Sequence, residues 1–127
     1  MKRIKSIVTG GAGFIGSNLV DRLVKEGHKV IVLDNFVSGK RSNLSHHLKR
    51  NVKIIRIDIS NTKKLDKYFK DVVYVFHLAG LAEIVPSIKN PNKYFINNVF
   101  GTLNVLEAAK KVKVKKFIYA ASSSCYG

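Results

Sequence analysis

The sequence predicts an α/β fold in which helices cover both faces of one parallel sheet. Short runs of β-branched residues alternate with longer stretches of helical period. The run 72–78 is almost continuously apolar, which is typical of a strand covered on both faces. Strands separated by helices form βαβ units with right-handed crossovers. The 127 residues suffice for one domain with a core, and we expect residues 1–127 to form a single domain.

Five strands and four helical segments are predicted along the chain. The strands are expected at 4–9, 30–33, 52–57, 72–78 and 117–121. Helices are expected at 14–26, near 43–48, after a cap at Asn61 or Thr62, and from Asn90-Pro91 onward, because proline favours a first helical position. The segment 81–87 is expected to be a loop. The long final helix is expected to carry one apolar face: Phe95, Val99, Leu103, Leu106 and Ala109.

Charge and composition narrow the class of protein. A net charge of +15 could indicate nucleic-acid binding or a lysine-rich surface on a protein that binds an anionic nucleotide. The lysines are scattered except for a run at 110–116, at a helix end where cations complement the dipole, so we expect no nucleic-acid partner. No apolar run approaches the roughly 18 residues that cross a bilayer. The lone Cys125 agrees with a reducing, cytoplasmic location, and no metal site is expected.

The strongest motif is the glycine turn between the first strand and the first helix. Gly11, Gly13 and Gly16 give the G-x-G-x-x-G spacing, and Gly10 extends it. In this position the motif is the fingerprint of a dinucleotide site, where glycines let the backbone approach a pyrophosphate and the helix N-terminus attracts it. We therefore expect a Rossmann-type doubly wound sheet with its five strands in the order 3-2-1-4-5.

An acidic residue completes the fingerprint. Asp34 ends the second strand, where its carboxylate can accept hydrogen bonds from the adenosine ribose and would repel a 2′-phosphate. This favours NAD over NADP as the cofactor, although Lys40 and Arg41 lie close by in the sequence.

Further segments resemble a known family. TGGAGFIG, LDNFVSGKRSNL, Asp58-Ile59, VFHLAG, NNVFGTLNVLEAA and FIYAASSSCYG follow one another at fitting distances. Together they resemble the NAD-dependent epimerase/dehydratase family of extended short-chain dehydrogenases, and within it the UDP-glucose 4-epimerases. Such enzymes use NAD to oxidise and re-reduce one carbon of a nucleotide sugar. The resemblance covers nearly the whole chain and implies a homodimer for the full-length enzyme.

The resemblance also implies roles for matching positions. Backbone groups of Phe14 and Ile15 are expected to cover the pyrophosphate, and Asn98 is expected to brace the loop under the cofactor. Asp58 and Ile59 are expected at the adenine. The remaining positions surround the ribose or pass under the cofactor: Asp34, Asn35, Ser38, Gly39, Leu78, Ala79 and Gly80. From the residues alone, Asp58 and Asn98 are equally well explained as a strand-end cap and an ordinary helix residue.

The last residues bear on the reaction. By the resemblance, Ser122 is the catalytic serine, whose hydroxyl contacts the reacting sugar oxygen. Related dehydratases carry Thr-Asp-Glu where this chain has Ser122-Ser123-Ser124, so the resemblance favours epimerisation over dehydration. A lysine frequent in hexose epimerases is replaced here by Ala82, which weakens an assignment to UDP-galactose.

The family's catalytic base is the tyrosine of a Tyr-x-x-x-Lys motif. Residues 1–127 contain no such motif. Tyr68, Tyr74, Tyr94 and Tyr119 are followed four positions later by Val, Leu, Asn and Ser. We therefore expect an incomplete domain that lacks the last strands and the substrate domain, and that binds NAD without turnover. The open alternatives are a dehydratase or decarboxylase of the same family, or a stand-alone NAD-binding or sensing module.

Overall fold

A computed structural model describes residues 3–47, 51–61 and 65–126. Five parallel strands form one sheet in the order β3-β2-β1-β4-β5, which confirms the predicted fold class and strand order. The strands are β1 Lys5–Thr9, β2 Lys29–Asp34, β3 Val52–Arg56, β4 Tyr74–His77 and β5 Lys116–Tyr119. Each observed strand overlaps its predicted run, with ends that differ by no more than two residues, because hydrogen bonding and not apolar periodicity determines where a strand ends.

Helices connect the strands and cover the two faces of the sheet. The α-helices are α1 Phe14–Lys25, α2 Asp66–Phe69, α3 Ile84–Lys89, α4 Pro91–Phe95 and α5 Gly101–Lys111. A π-helical turn, Ile96–Phe100, joins α4 to α5, and 3₁₀ helices span Arg41–His47 and Ser123–Tyr126. None of the helices in the described ranges combines the length and apolar character that a membrane crossing needs.

The core consists of two apolar layers, one on each face of the sheet. Alternate residues of β1 supply both layers: Ile7 packs with Leu33, Phe69 and Val105 on the α2/α5 side. Val8 packs on the α1 side in the second layer, and its other members include Ala12, Val20, Leu23, Val32 and Leu44. Covering both faces explains the continuously apolar strands.

Two local expectations were wrong. The segment expected to be a loop contains α3, whose Pro86 lies in the first helical turn, where proline is tolerated. Asn61 does not cap α2, which begins only at Asp66; Thr62 lies outside the described residues, as does Leu48 at the end of the short helix predicted near 43–48. Asn90 does cap the long helix, because its side chain accepts from the Lys93 N–H.

The predicted apolar face of the long helix is largely exposed. Of its members only Ala109 is buried; the others are exposed: Phe95, Val99, Leu103 and Leu106. The buried side of α5 carries Gly101, Val105 and Ala108 instead. Both sets have helical spacing, and the sequence pattern does not tell which of the two apolar stripes faces the sheet.

Candidate functional site

The carboxyl ends of β1, β2 and β4 enclose a cleft, as expected at the point where the strand order reverses. Ten of the residues predicted for the cofactor line this one cleft: Gly10, Gly13, Asp34, Asn35, Ser38, Gly39, Ile59, Leu78, Ala79 and Gly80. They come from four loops that are far apart in the chain. The structure therefore assembles most of the predicted site in one place.

Two glycines of the turn sit where a side chain has no room. Gly10 has φ +67°, and an added Cβ would lie 2.8 Å from the backbone nitrogen of Ala79 in the loop after β4. At Gly16 an added Cβ would overlap the carbonyl oxygen of Gly10. The turn, the first turn of α1 and the loop after β4 consequently pack backbone against backbone.

Helix α1 starts at this turn with free amide groups. Its N-cap residue is Gly13, which has no side chain to accept from the first helical N–H groups. The first described amide after the cap that bonds back into the helix is Ser17 N–H, which donates to the Gly13 carbonyl at 2.9 Å. An uncapped N-terminus with the positive end of the helix dipole can bind an anion such as phosphate.

Asp34 joins the glycine turn to the loop after β2. Its carboxylate is buried, with 7% of the residue exposed. Oδ2 accepts from the Ala12 N–H at 2.9 Å, and Oδ1 accepts from the Phe36 N–H at 2.8 Å. Each carboxylate oxygen retains a second lone pair, so the group can still accept from a hydroxyl in the cleft.

The loop 35–40 closes the side of the cleft next to Asp34. The Lys40 N–H and the Asn43 side-chain amide both donate to the Ala12 carbonyl, at 3.0 and 2.9 Å. Gly39 fits closely here, because an added Cβ would lie 2.9 Å from the Ala12 Cβ. Both backbone polar groups of Ala12 are therefore used to hold the β2 loop against the glycine turn.

The opposite side of the cleft rests on a buried hydrogen-bond chain through His77. Thr9 Oγ1 accepts from the N–H groups of Leu78 and Ala79, at 3.2 and 3.1 Å, and lies 2.7 Å from His77 Nδ1. His77 Nε2 lies 2.8 Å from Thr102 Oγ1. Residues on β1, β4 and α5 thus fix the start of the loop under the cleft.

The partners determine the protonation of this histidine. Because Thr9 Oγ1 already accepts two N–H groups, its hydroxyl proton is directed to Nδ1 of His77. The imidazole then carries its proton on Nε2 and donates to Thr102, whose hydroxyl donates to the Asn98 carbonyl at 2.6 Å. Burial agrees with a neutral ring, since it lowers the pKa of His77 to about 4.

Asn98 holds the same loop from the π-helical turn. Its Oδ1 accepts from the Leu81 N–H at 2.8 Å, and its Nδ2 donates to the Leu81 carbonyl at 2.9 Å. This is the bracing contact expected for Asn98. A π turn shifts the direction of side chains relative to a regular helix, and such turns are frequent at functional sites.

Six predicted residues lie outside the cleft lining, among them Asn98, described above, and Gly16 in the first turn of α1. Phe14 and Ile15 are exposed at the N-terminus of α1, beside the cleft. Asp58 lies in an adjoining pocket, and its Oδ1 accepts from the backbone and hydroxyl of Ser60, at 2.9 and 2.6 Å. Ser122 is exposed beyond β5 and accepts from the Ser124 N–H at 3.2 Å.

Sequence reasoning missed five residues that line the cleft: Leu33, Val37, Ile57, Leu81 and Asn97. Leu33 and Ile57 lie at the ends of predicted strands, which are the positions that a doubly wound sheet presents to its cleft. Leu81 follows a predicted contact directly, and Asn97 precedes Asn98. The sequence signal that could have identified these residues is their closeness to predicted strand ends and predicted contact residues.

The sequence model of the "NAD dependent epimerase/dehydratase family" matches residues 6–127. The chain belongs to this family. A UDP-glucuronic acid decarboxylase of Arabidopsis thaliana is 42% identical over 99% of the chain, which spans 27% of that enzyme. The UDP-N-acetylglucosamine 4-epimerase from Methanobrevibacter ruminantium, solved with UDP-N-acetylmuramic acid, is similar at 42% identity with a TM-score of 0.92. The chain is covered completely and spans 40% of that structure.

A second similar structure carries the cofactor. The UDP-glucose 4-epimerase of Thermus thermophilus, solved with NAD, matches 94% of the chain at 36% identity with a TM-score of 0.83. The chain spans 38% of that enzyme. The chain therefore spans about a quarter to two fifths of these three proteins.

Proposed function

We propose that these 127 residues are the NAD-binding part of a nucleotide-sugar epimerase of this family. The carrying observation is the cleft wall in which the buried Asp34 carboxylate joins the glycine turn to the β2 loop, beside an uncapped helix N-terminus. A ribose hydroxyl and a pyrophosphate are the groups that such a wall accommodates. The family description and a similar epimerase solved with NAD support the choice of cofactor.

The residues fit the cofactor along its whole adenosine half. The first-turn amides of α1, including Phe14, Ile15 and Gly16, would bind the pyrophosphate, and Asp34, Asn35, Ser38 and Gly39 the ribose. Asp58 and Ile59 would contact the adenine. Leu78, Ala79 and Gly80, braced by Asn98, would support the other half. When bound, NAD supplies a hydride acceptor and donor for a sugar carbon.

The NAD preference can be tested by calorimetric titration with NAD and NADP. We expect NAD to bind at least about ten-fold more tightly, because the Asp34 carboxylate repels a 2′-phosphate. Asp34→Asn keeps the shape of the side chain but removes the charge, so it should narrow the preference; circular dichroism checks that the variant is folded. Folded protein without NAD affinity, or with equal affinity for both dinucleotides, contradicts the proposal.

For the reaction, we propose epimerisation, with decarboxylation as the second candidate. The Ser122-Ser123-Ser124 segment supports the former by its resemblance, with Ser122 as the catalytic serine, whereas 42% identity to a UDP-glucuronic acid decarboxylase favours the latter. A polypeptide that continues to a Tyr-x-x-x-Lys motif should be incubated with UDP-glucose, UDP-N-acetylglucosamine and UDP-glucuronic acid. Inversion of a hydroxyl identifies an epimerase, whereas release of CO₂ identifies a decarboxylase.

We further propose that residues 1–127 form an incomplete domain that binds NAD without turning over a sugar. None of the four tyrosines at 68, 74, 94 and 119 has a lysine four residues later to lower the phenol pKa. The test is incubation of these residues alone with NAD and the same three sugars. Product formation would contradict the proposal. A cytoplasmic location, a homodimer of the full-length enzyme and the lack of a nucleic-acid partner remain predictions.

A further inference from the structure

Three side chains with metal-binding atoms converge on the α1 side of the sheet. Asp21 lies on α1, and His46 and His47 end the 3₁₀ helix Arg41–His47. The Nε2 atoms of His46 and His47 lie 2.9 and 2.5 Å from Asp21 Oδ1. One ligand atom from each residue lies within 4.8 Å of the other two. None of the three residues lines the cleft described above.

The convergence of two consecutive histidines is unusual. Neighbouring residues of a helix normally point in different directions. Here the two rings lie 4.1 Å apart at their centroids, and both Nε2 atoms point to the same oxygen. This cluster could not be predicted from the sequence, because Asp21 precedes His46 by 25 residues.

Burial distinguishes His47 from a surface histidine. Its side chain is 7% exposed, whereas those of His46 and Asp21 are about half exposed, at 55% and 49%. His47 Nδ1 is buried without a hydrogen-bond partner among the described residues. Leaving a polar atom unpaired costs about 1–3 kcal/mol, so a single hydrogen bond to Asp21 does not account for the placement of this ring.

The geometry points to a binding site for a divalent transition-metal ion of the Zn²⁺ type, with Asp21, His46 and His47 as its protein ligands. Two imidazoles and one carboxylate are a donor set that Zn²⁺ accepts, with water in a fourth position. Tetrahedral ligands of Zn²⁺ are about 3.3 Å apart. The two distances from Asp21 Oδ1 to the histidine Nε2 atoms would need to lengthen by less than about 1 Å, which the half-exposed Asp21 and His46 side chains permit.

The donor set also limits which cations bind. Mg²⁺ and Ca²⁺ prefer six or more oxygen ligands, and this cluster offers one carboxylate, so neither ion should compete. Arg22, the cation adjacent to Asp21 in the chain, is paired with Glu26 at 2.7 Å. Because His47 Nδ1 has, among the described residues, no acceptor of the kind that usually orients a metal-bound imidazole, we expect micromolar rather than nanomolar affinity. A bound ion would tie the 3₁₀ helix to α1.

Calorimetric titration of the intact, tag-free protein with ZnCl₂ tests this site. The titration uses a Cys125→Ser background, because the exposed thiol of Cys125 is itself a zinc ligand. His46→Gln and Asp21→Asn each remove one exposed ligand. His28→Gln is the matched control, because His28 bonds to Ser6 and belongs to no part of the cluster. Titration with MgCl₂ tests ion selectivity.

We expect one zinc ion per chain in the Cys125→Ser protein and no heat with magnesium. His46→Gln and Asp21→Asn should each weaken zinc binding at least about ten-fold, while His28→Gln should not change it. Lack of zinc binding in the Cys125→Ser protein would overturn the site. The site would also be overturned if His46→Gln and Asp21→Asn bound zinc as tightly as His28→Gln does.

Discussion

The two sides of the cleft are built in different ways. On the side of β1 and β2, backbone packs against backbone at Gly10 and Gly16, and Asp34 binds two nearby amides. On the side of β4, side chains support the loop: His77 links two threonines, and Asn98 binds both backbone groups of Leu81. The first side depends on the absence of side chains and the second on their hydrogen bonds.

This difference determines which changes should destabilise each side of the cleft. The glycine turn has no room for an added side chain, so a substitution there should lower the free energy of unfolding through a steric clash that does not depend on pH. The β4 side depends on a neutral histidine and on amide hydrogen bonds, so it should respond to protons and to single truncations. Three predictions test this contrast, from the largest expected effect to the smallest.

Gly10→Ala should be the most damaging substitution. Gly10 and Gly27 both have positive φ angles, +67° and +85°, which cost an alanine about 1–2 kcal/mol. At Gly27 an added Cβ meets nothing within 4 Å, whereas at Gly10 it meets the Ala79 backbone at 2.8 Å. The clash adds about 1–3 kcal/mol, so Gly10→Ala should lower the free energy of unfolding by about 2–5 kcal/mol. Urea denaturation measures both variants.

Gly27→Ala is the internal control, because it has the same backbone strain without the crowding. It should lose only about 1–2 kcal/mol. Equal losses in the two variants would mean that the contact between the glycine turn and the loop after β4 contributes no steric constraint.

Acid should weaken the β4 side through His77. The ring is buried and its pKa is about 4 in the folded chain, against an ordinary value of 6.5. As the pH falls from 6.5 to 4, the unfolded chain takes up a proton that the folded chain does not. The free energy of unfolding should therefore fall across this range by about 3 kcal/mol, and the contribution of His77 is complete above pH 6.5.

Other ionisable groups also contribute to the pH dependence of stability, so the measurement is a difference. Urea denaturation of the wild type and of His77→Gln at several pH values isolates the contribution of this ring. The two proteins should converge in stability as the pH falls. A stability difference that does not change between pH 6.5 and 4 would contradict the neutral, buried state of His77.

The sequence was sufficient to predict the fold and the glycine side of the cleft. The spacing of the glycines from Gly10 to Gly16 reports directly on the backbone, and Asp34 stands at the strand end where the dinucleotide fingerprint requires an acidic residue. Element ends and the buried face of α5 could not be predicted, because they depend on which of two apolar stripes meets the sheet. The exposed pair Phe95 and Leu103 and the buried pair Val105 and Ala109 both have a spacing that places the two residues on one side of a helix.

The β4 side could be predicted only in part. The resemblance placed Asn98 at the loop, but the chain from Thr9 to His77 and Thr102 joins residues 68 and 25 positions apart. A histidine within an apolar strand does not reveal whether it is neutral or which residues it bonds. Asp21, His46 and His47 illustrate the same limit, because their convergence depends on how the 3₁₀ helix packs on α1.

Of the three predictions, Asn98→Ala should have the smallest effect on stability. The effect should be confined to the loop that contains Leu81. The substitution removes the two hydrogen bonds to Leu81, worth about 1–2 kcal/mol together. Asn104→Ala is a matched control on the same continuous helix, because the Asn104 amide donates to Ile59 and not to Leu81. Amide hydrogen exchange should show faster exchange at Leu81 in Asn98→Ala and no change there in Asn104→Ala. If Leu81 stays protected in Asn98→Ala, the hydrogen bonds through His77 and Thr9 suffice to hold the loop, and the brace from the π-helical turn is redundant.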